Sequence, residues 1–580
     1  MKMHPLPQFE RSNWRSLDGK WQFVFDDDDL GQKHNWAEVF PQAQSIVVPY
    51  SYETKASGIG DSAHHAVVWY HRTFTIVDRL ESQHVYLNFG GVDYGCTVYL
   101  NGHQVGEHFG GYTHFAFDVT AWLIPGDNQL TVRVTDSTSV EQPRGKQRWR
   151  DENFECWYEQ TTGIWKPVWL ECTALQHINE LKVTPLHAQH EVVVEASSNM
   201  DIADGEIKFT VAFKGQEVAF TAAKLVNHRV KLTIPLAGAG EPAGWGVHEW
   251  RPDSPELYDL TVTLSKDSEL LDTVSSYFGL REIEIRGNQI LLNGTPLYQR
   301  LVLDQNYWPD SGLTPQSEEA MAQDIKLIQQ LGYNGVRMHM TVADQRFLTL
   351  ADRAGLLIWS EMPATYTFSD DAASRFVQEW QTVVRQNYNH PAIITWVPFN
   401  ESWGIPDVRI DKRQQALTQS VYYLTKAIDP QRPVITNDGW EHTCSDILTI
   451  HDYEASGSNF AARYHDLFSA LAVNQSLNGA KAPFANGFEY HGQPVIISEF
   501  GGIAFADGNG WGYGDQVSGQ KAFLERFDEI HKAIQQNPAI VGYCYTQLTD
   551  VSQEVNGVMT IMRQPKVSID AIRRINMRRV

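Results

Sequence analysis

The feature that most constrains this 580-residue chain is a change of pattern near Arg286-Gly287. Before it, short alternating runs such as WQFVF, VVWYHRTFTI, HVYLNFGG, CTVYLNG and NQLTVRVTD are broken by Gly and Asn turns, as in all-β sandwiches. After it, eight β-branched runs alternate with amphipathic helical stretches: YQRLVLD, YNGVRMHM, LLIWSEMP, IITWVPFNES, PVITNDGW, ILTIHDYE, PVIISEFGG and VGYCYTQL. SEEAMAQDIKLIQQLG and QQALTQSVYYLTKAID carry the helical spacing between them. Eight strands interleaved with helices is the count of a (β/α)8 TIM barrel. A doubly wound open sheet is the other reading, weakened because no GxGxxG turn follows the first strand. The expected architecture is a jelly-roll β-sandwich over 1–175, an immunoglobulin-like β-sandwich over 176–283 and a barrel over 284–580.

Composition narrows the function. The net charge of −23 opposes phosphate backbones and anionic lipid, so neither nucleic acid nor membrane is an expected partner. No apolar run approaches the ~20 residues of a membrane span. Cys96, Cys156, Cys172, Cys444 and Cys544 are scattered and never form CxxC, which excludes a cysteine-based zinc site and fits a reducing compartment. The N-terminus shows no apolar h-region, so the expected location is the cytoplasm.

In a barrel of this kind, chemistry sits at the C-terminal ends of the strands. Those ends supply Asp304, Arg337, His339, Glu361, Asn400, Glu401, Asn437, Asp438, His451 to Tyr453, Glu499 and Tyr545 to Gln547. Glu401 and Glu499 each terminate a hydrophobic strand, where a charge is costly unless it opens into a polar cleft. Strands four and seven face one another across the barrel mouth. Two carboxylates flanking one bond are the minimum equipment for glycoside hydrolysis.

The chain resembles glycoside hydrolase family 2, the family of β-galactosidases, β-glucuronidases and β-mannosidases. SLDGKWQF, GGVDYGCTVYLNG and TTGIWKPVWLE resemble its sugar-binding jelly roll, and SPELYDLTV its immunoglobulin-like domain. NGVRMH, FNESWG and IISEFGG resemble its second, fourth and seventh barrel strands. The resemblance implies a retaining mechanism, with Glu401 as acid/base, Glu499 as nucleophile and Asn400 on the sugar 2-hydroxyl. It implies that Arg337 braces Glu499 and holds its pKa low, while Glu401 needs a raised one. His339 either binds a sugar hydroxyl or is a satisfied core histidine. Tyr453 is a candidate for orienting the nucleophile. Trp440 either stacks on the sugar or packs in the core. A homo-oligomer is expected, because relatives usually are.

Departures from the family pattern matter as much. Strand three ends SEMPATYTF with only Glu361, where relatives with a divalent ion add a Glu and a His, so no metal and no cofactor is expected. The Asn-x-Lys that grips a uronic carboxylate is absent from Glu554-Val555-Asn556-Gly557-Val558. Trp157 stands where many relatives place Asp, Leu303-Asp304-Gln305 where they place Arg-His, and Tyr545 where they often carry Trp. Asp304 is the candidate to replace the missing Asp as a hydroxyl reader. Trp157 and Tyr158, in the WYEQTTGIW loop, are candidates to reach the barrel mouth. With no visible cation for a uronate, the expected activity is that of a retaining exo-β-glycosidase acting on a neutral sugar, a β-galactosidase. A β-galacturonidase or β-glucuronidase comes next, then an α-L-arabinopyranosidase. A catalytically dead carbohydrate-binding protein would lack one carboxylate, and a transglycosidase would use the same pair.

Overall fold

The computed structural model describes residues 2–76, 83–236, 246–506 and 508–578. From Trp14 to Ala174 the alternating runs pair into two antiparallel sheets. One has the order Gln44–Val48, Gly19–Phe25, Val67–Ile76, Gly126–Thr135, Gly95–Leu100, His103–Phe109; the other Trp14–Ser16, Val168–Ala174, Gln83–Phe89, Phe115–Asp118. Their inner faces bury Phe23, Val68, Val98, Val132, Leu87 and Leu170 between them, which is the jelly-roll sandwich.

A second sandwich packs three strands (Ile178–Leu186, Glu191–Ser198, Arg229–Pro235) on four (Gln216–Lys224, Gly205–Phe213, Tyr258–Lys266, Glu269–Phe278). Val192, Val194, Phe209, Leu260 and Val262 fill its core, in the immunoglobulin-like manner.

The barrel strands are β1 (Gln299–Asp304), β2 (Gly335–Met338), β3 (Leu357–Glu361), β4 (Ile393–Val397), β5 (Asn437–Asp438), β6 (Leu448–His451), β7 (Val495–Glu499) and β8 (Ile540–Tyr545). All eight expected runs are strands. Seven form one curled parallel sheet in the order β4-β3-β2-β1-β8-β7-β6. Between β4 and β6, β5 pairs in parallel with Phe399–Asn400, and the His451 N–H bonds the Gly439 carbonyl at 3.3 Å. The outer layer includes α1 (Glu318–Gln330), α2 (Gln345–Ala354), α3 (Asp370–Gln386), α4 (Lys412–Ile428) and, after the short α5 (Gly457–Arg463) and α6 (Leu467–Ala472), α7 (Gly519–Gln535). In α1 the Ser317 hydroxyl caps the Ala320 N–H, and Met321, Ile325 and Ile328 turn one buried stripe onto the sheet. Among the described residues, no helix is long and apolar enough to cross a membrane. The immunoglobulin-like unit props the barrel away from its mouth: Arg281 donates to Pro391 O and to Ile393 O, both at 2.9 Å, where β4 begins.

Register decides which side chains enter the barrel. Leu303, Arg337 and Trp359 are aligned partners across β1, β2 and β3. Arg337 points inward, so its row does too, and period-2 alternation turns the next residue outward. Asp304 therefore faces away from the mouth, against the expectation that it reads sugar hydroxyls. Its carboxylate accepts the Asn306 N–H at 2.8 Å and lies near Asp324 of α1 and Arg563; burial, with Asp324, pushes it up to about 6. Tyr545 is corrected for the same reason. It is aligned with Val302, on the outward row, and packs against Phe500 and, from α7, Phe527 and His531.

Candidate active site

Glu401 follows the short Phe399–Asn400 strand in a left-handed backbone conformation (φ +51°), and its N–H bonds the Asp438 carbonyl at 2.9 Å. Glu499 ends β7. A carboxylate oxygen of each, with a ring nitrogen of His451, lies within 4.8 Å of the others. Such close carboxylates are on the side of the ~5–5.5 Å separation of retaining glycosidases rather than the ~6.5–9.5 Å of inverting ones.

Arg337, fully buried, organises the Glu499 side. Its Nη1 donates to Glu499 Oε1 at 2.8 Å and lies 2.7 Å from Asp438 Oδ2, and its Nε and Nη2 reach Glu361 at 3.0 and 3.1 Å. Nη2 also donates to Asn400 Oδ1 at 2.6 Å, which turns the Asn400 amide. Three carboxylates on one guanidinium keep it charged despite burial, and each carboxylate finds a partner. The other oxygen of Glu499 accepts from Tyr453 Oη at 2.6 Å, and the Tyr453 ring stacks on Tyr513 at 3.4 Å. His339 Nδ1 lies 3.1 Å from both Arg337 Nη2 and Glu361 Oε2; burial, then Arg337 and Lys146, hold it neutral, well below its ordinary value.

The Glu401 side is organised by His451, a strand-end residue to which the sequence alone gave no role. His451 Nδ1 is 2.8 Å from Glu401 Oε1, and Nε2 is 2.9 Å from Asp438 Oδ2. Burial disfavours charge on His451, but Glu499, Asp438 and Glu401 outweigh it and push the imidazole up to about 10. Glu401 departs from expectation. Burial raises it, yet the bond from His451 and the charges of His451, Lys146 and Arg337 leave it below its ordinary value. Asp438, buried against Arg337 and His451, is also held far below the usual carboxylate range. The Glu401–His451–Glu499 triplet could approach a metal ion, but an imidazolium with both nitrogens facing carboxylates has no lone pair to offer.

The jelly roll forms one wall of the mouth, as the WYEQTTGIW loop suggested. Tyr158 Oη hydrogen-bonds Glu554 Oε2. From there a closed ring of side chains runs from Glu554 to Asn556 (3.0 Å), Gln547 (2.8 Å), Gln305 (2.7 Å) and back to Tyr158 (3.1 Å). Gln305 Oε1 is left without a partner. Gln305, not Asp304, is the inward residue after Leu303. Trp157, 4% exposed, is boxed by Trp149, Phe154, Tyr366 and Trp403 with ring centroids 4.9–5.3 Å away. Trp440 packs edge-on to His451 at 5.4 Å.

One cation in this wall escaped the sequence. The backbone of Lys146 is pinned between Tyr158 N, which bonds its carbonyl at 2.8 Å, and Gly145 N, bonded to Ala364 O at 3.2 Å. Its half-buried ammonium sits among Cys156, Glu554, Tyr366 and Glu401. Burial works against the charge, and those groups together hold it above its ordinary value. No carboxylate among the described residues lies within 4 Å of it.

Comparison with known proteins agrees with this geometry. Residues 14–173 match the model for "Glycosyl hydrolases family 2, sugar binding domain", 176–281 that for "Glycosyl hydrolases family 2", and 283–578 that for "Glycosyl hydrolases family 2, TIM barrel domain". A β-galactosidase of Thermoanaerobacter pseudethanolicus is 29% identical over 58% of this chain and 45% of its own. A β-glucuronidase of Paenibacillus borealis is 22% identical, with 96% of each chain covered. The chain spans about half the length of the first curated relatives it matches, 47% and 45%. Among solved structures, Bifidobacterium dentium β-glucuronidase complexed with coumarin-3-O-glucuronide superposes with a TM-score of 0.80 at 22% identity, covering 98% of this chain and 97% of that one. Three consecutive family models over nearly all its residues, and a mouth built from both the first and the last of them, make this chain a member of glycoside hydrolase family 2.

Proposed function

We propose that the chain is a retaining exo-β-glycosidase whose sugar is a hexuronic acid. Glu499 is the nucleophile: Arg337 and Tyr453 hold its two oxygens and aim the carboxylate. Glu401 is the acid/base. Asn400, turned by Arg337, presents its amide N–H groups to the 2-hydroxyl, a contact that strengthens as positive charge develops at the anomeric carbon. The jelly-roll wall closes the mouth on one side and limits attack to a terminal sugar.

The observation that carries the choice of sugar is Lys146. A uronate in a pocket already holding Glu401, Glu499 and Glu554 requires a cation, because an unpaired buried carboxylate is expensive. Arg337 is fully engaged by three carboxylates. Lys146 is charged, pinned by its backbone and, among the described residues, without an ion pair. The β-glucuronidases that match this chain end to end favour the same reading over a neutral galactoside.

A panel of p-nitrophenyl β-glycosides tests it. The glucuronide or galacturonide should be cleaved at least ten times faster, in kcat/KM, than the galactoside, glucoside, mannoside and fucoside and the α-L-arabinopyranoside. A galactoside cleaved faster than either uronide overturns the proposal.

A further inference from the structure

His451 stands between three carboxylates delivered by three separate parts of the barrel. Its Nδ1 is 2.8 Å from Glu401 Oε1 and 3.4 Å from Glu499 Oε2, and its Nε2 is 2.9 Å from Asp438 Oδ2. The ring is 1% exposed and held in that line. Trp440 packs edge-on to it. Gly439, at φ +103°, lies so close that a Cβ there would come within 2.7 Å of Nδ1. Nothing in the nucleophile or acid/base assignments requires a histidine here, and a neutral amide would satisfy Glu401 as well.

We propose that Asp438, His451 and Glu401 form a proton relay, in which His451 Nδ1 keeps the proton that Glu401 hands to the departing glycosidic oxygen. The proposal rests on Glu401 being the acid/base. His451 acts through Glu401 and is in that sense a positioning residue.

Asp438 fixes the tautomer. By accepting Nε2–H throughout, it leaves Nδ1 as the nitrogen that gains and loses the proton, the logic of the histidine–aspartate pair in hydrolytic triads. Asp438 itself stays ionised, because Arg337 lies 2.7 Å from the same oxygen. The charged groups facing His451 are Glu401, Asp438 and Glu499, with Arg337 behind them. The neighbouring histidines do not share the role. Burial lowers His442 to about 4, and His339 is held neutral. Glu401, beside His451, Lys146 and Arg337, is a carboxylate in the open pocket and arrives at the reaction with the proton on His451 rather than on itself. The pair carries one proton between two sites and titrates as a unit.

The balance is closed. As Glu499 attacks the anomeric carbon and the C1–O bond breaks, the electron pair left on oxygen takes a proton from Glu401, which takes one from His451 Nδ1. The aglycone leaves as an alcohol, and His451 becomes neutral. In the second half, water attacks C1 and the ester bond to Glu499 breaks. The proton lost by water passes through Glu401 back to Nδ1.

The test is kcat/KM against pH for the phenyl and 2,4-dinitrophenyl glycosides of the best sugar, in wild type, His451→Asn and His451→Gln. For the phenyl glycoside, the wild-type alkaline limb should lie above about pH 8, where a histidine-held proton is lost. Both variants should move that limb down by one pH unit or more and lose roughly 10–100-fold at neutral pH. The dinitrophenyl glycoside, whose leaving group needs no proton, should show neither change. A wild-type limb below about pH 8 overturns the relay even if the variants do not fold. An unmoved limb in folded variants, or equal losses on the two glycosides, does so as well. Glu401→Ala separates the two claims: if it harms both glycosides equally and azide restores nothing, the acid/base assignment has failed. If it behaves as an acid/base variant while the His451 limb stays put, only the relay has failed.

Discussion

Tyr453 and Arg337 hold opposite oxygens of one carboxylate: Tyr453 Oη donates to Glu499 Oε2 at 2.6 Å and Arg337 Nη1 to Oε1 at 2.8 Å. The pair fixes the Glu499 carboxylate plane, and the lone pairs left over must face the sugar. Tyr453→Phe keeps the ring stacked on Tyr513 and removes only the hydroxyl. Loss of one preorganised donor at a reacting centre costs ~10²–10³ in kcat. We expect that loss with an unchanged melting temperature, measured by steady-state kinetics beside thermal unfolding.

The two carboxylates should respond differently to removal. Glu499→Gln should abolish turnover of every glycoside. Glu401→Ala should spare dinitrophenyl glycosides most, because their leaving group departs without a proton. Their product, followed by NMR during wild-type turnover, should keep the anomeric configuration of the substrate. Opposite anomers appearing first would be incompatible with the 4.8 Å cluster.

Lys146→Met tests the uronate-binding role without disturbing the backbone that carries it. A charge-assisted hydrogen bond is worth ~1.5–3 kcal/mol, so kcat/KM on the preferred uronide should fall roughly 10–150-fold. Neutral glycosides should lose little. Equal losses on charged and neutral sugars would remove Lys146 from the specificity determinants.

Glu53 offers a test of stability rather than of chemistry. Buried in the jelly roll at 3% exposure, it is pushed by that burial from an ordinary 4.5 up to about 8. The folded protein then holds this proton more tightly than the unfolded chain. Its contribution is fully present below about pH 4.5 and is lost as pH rises through about 8, at ~1.4 kcal/mol per pH unit between them. Glu53→Gln should flatten the fall in melting temperature over that window and leave the variant more stable than wild type at pH 8. Identical pH slopes in both proteins would refute the assignment.

Much of this was legible in the residues. The eight strand runs, the inward Arg337 and the two strand-terminal glutamates follow from hydrophobic pattern and from the cost of ending an apolar strand in a charge. Asp304 and Tyr545 lie at strand ends but on the outward parity, which strand-end position alone does not reveal. Counting two residues on from an inward Leu303 leads to Gln305, and one on from Tyr545 to Thr546, whose hydroxyl lies 3.2 Å from Tyr453 Oη. His451 carried a usable signal, two residues before Tyr453 at the end of β6. Lys146 carried none: 408 residues separate it from Glu554, and only docking of the jelly roll onto the barrel makes them neighbours.

That docking has a consequence for how the folded chain comes into being. The hydrogen bond from Tyr158 to Glu554 joins residues 396 apart in the chain. At ~5–20 residues per second a ribosome needs roughly 20–80 s between them. Throughout that interval the Tyr158 phenol of the N-terminal sandwich lacks the carboxylate it will bond, so this wall of the mouth is completed only by one of the last segments to leave the ribosome.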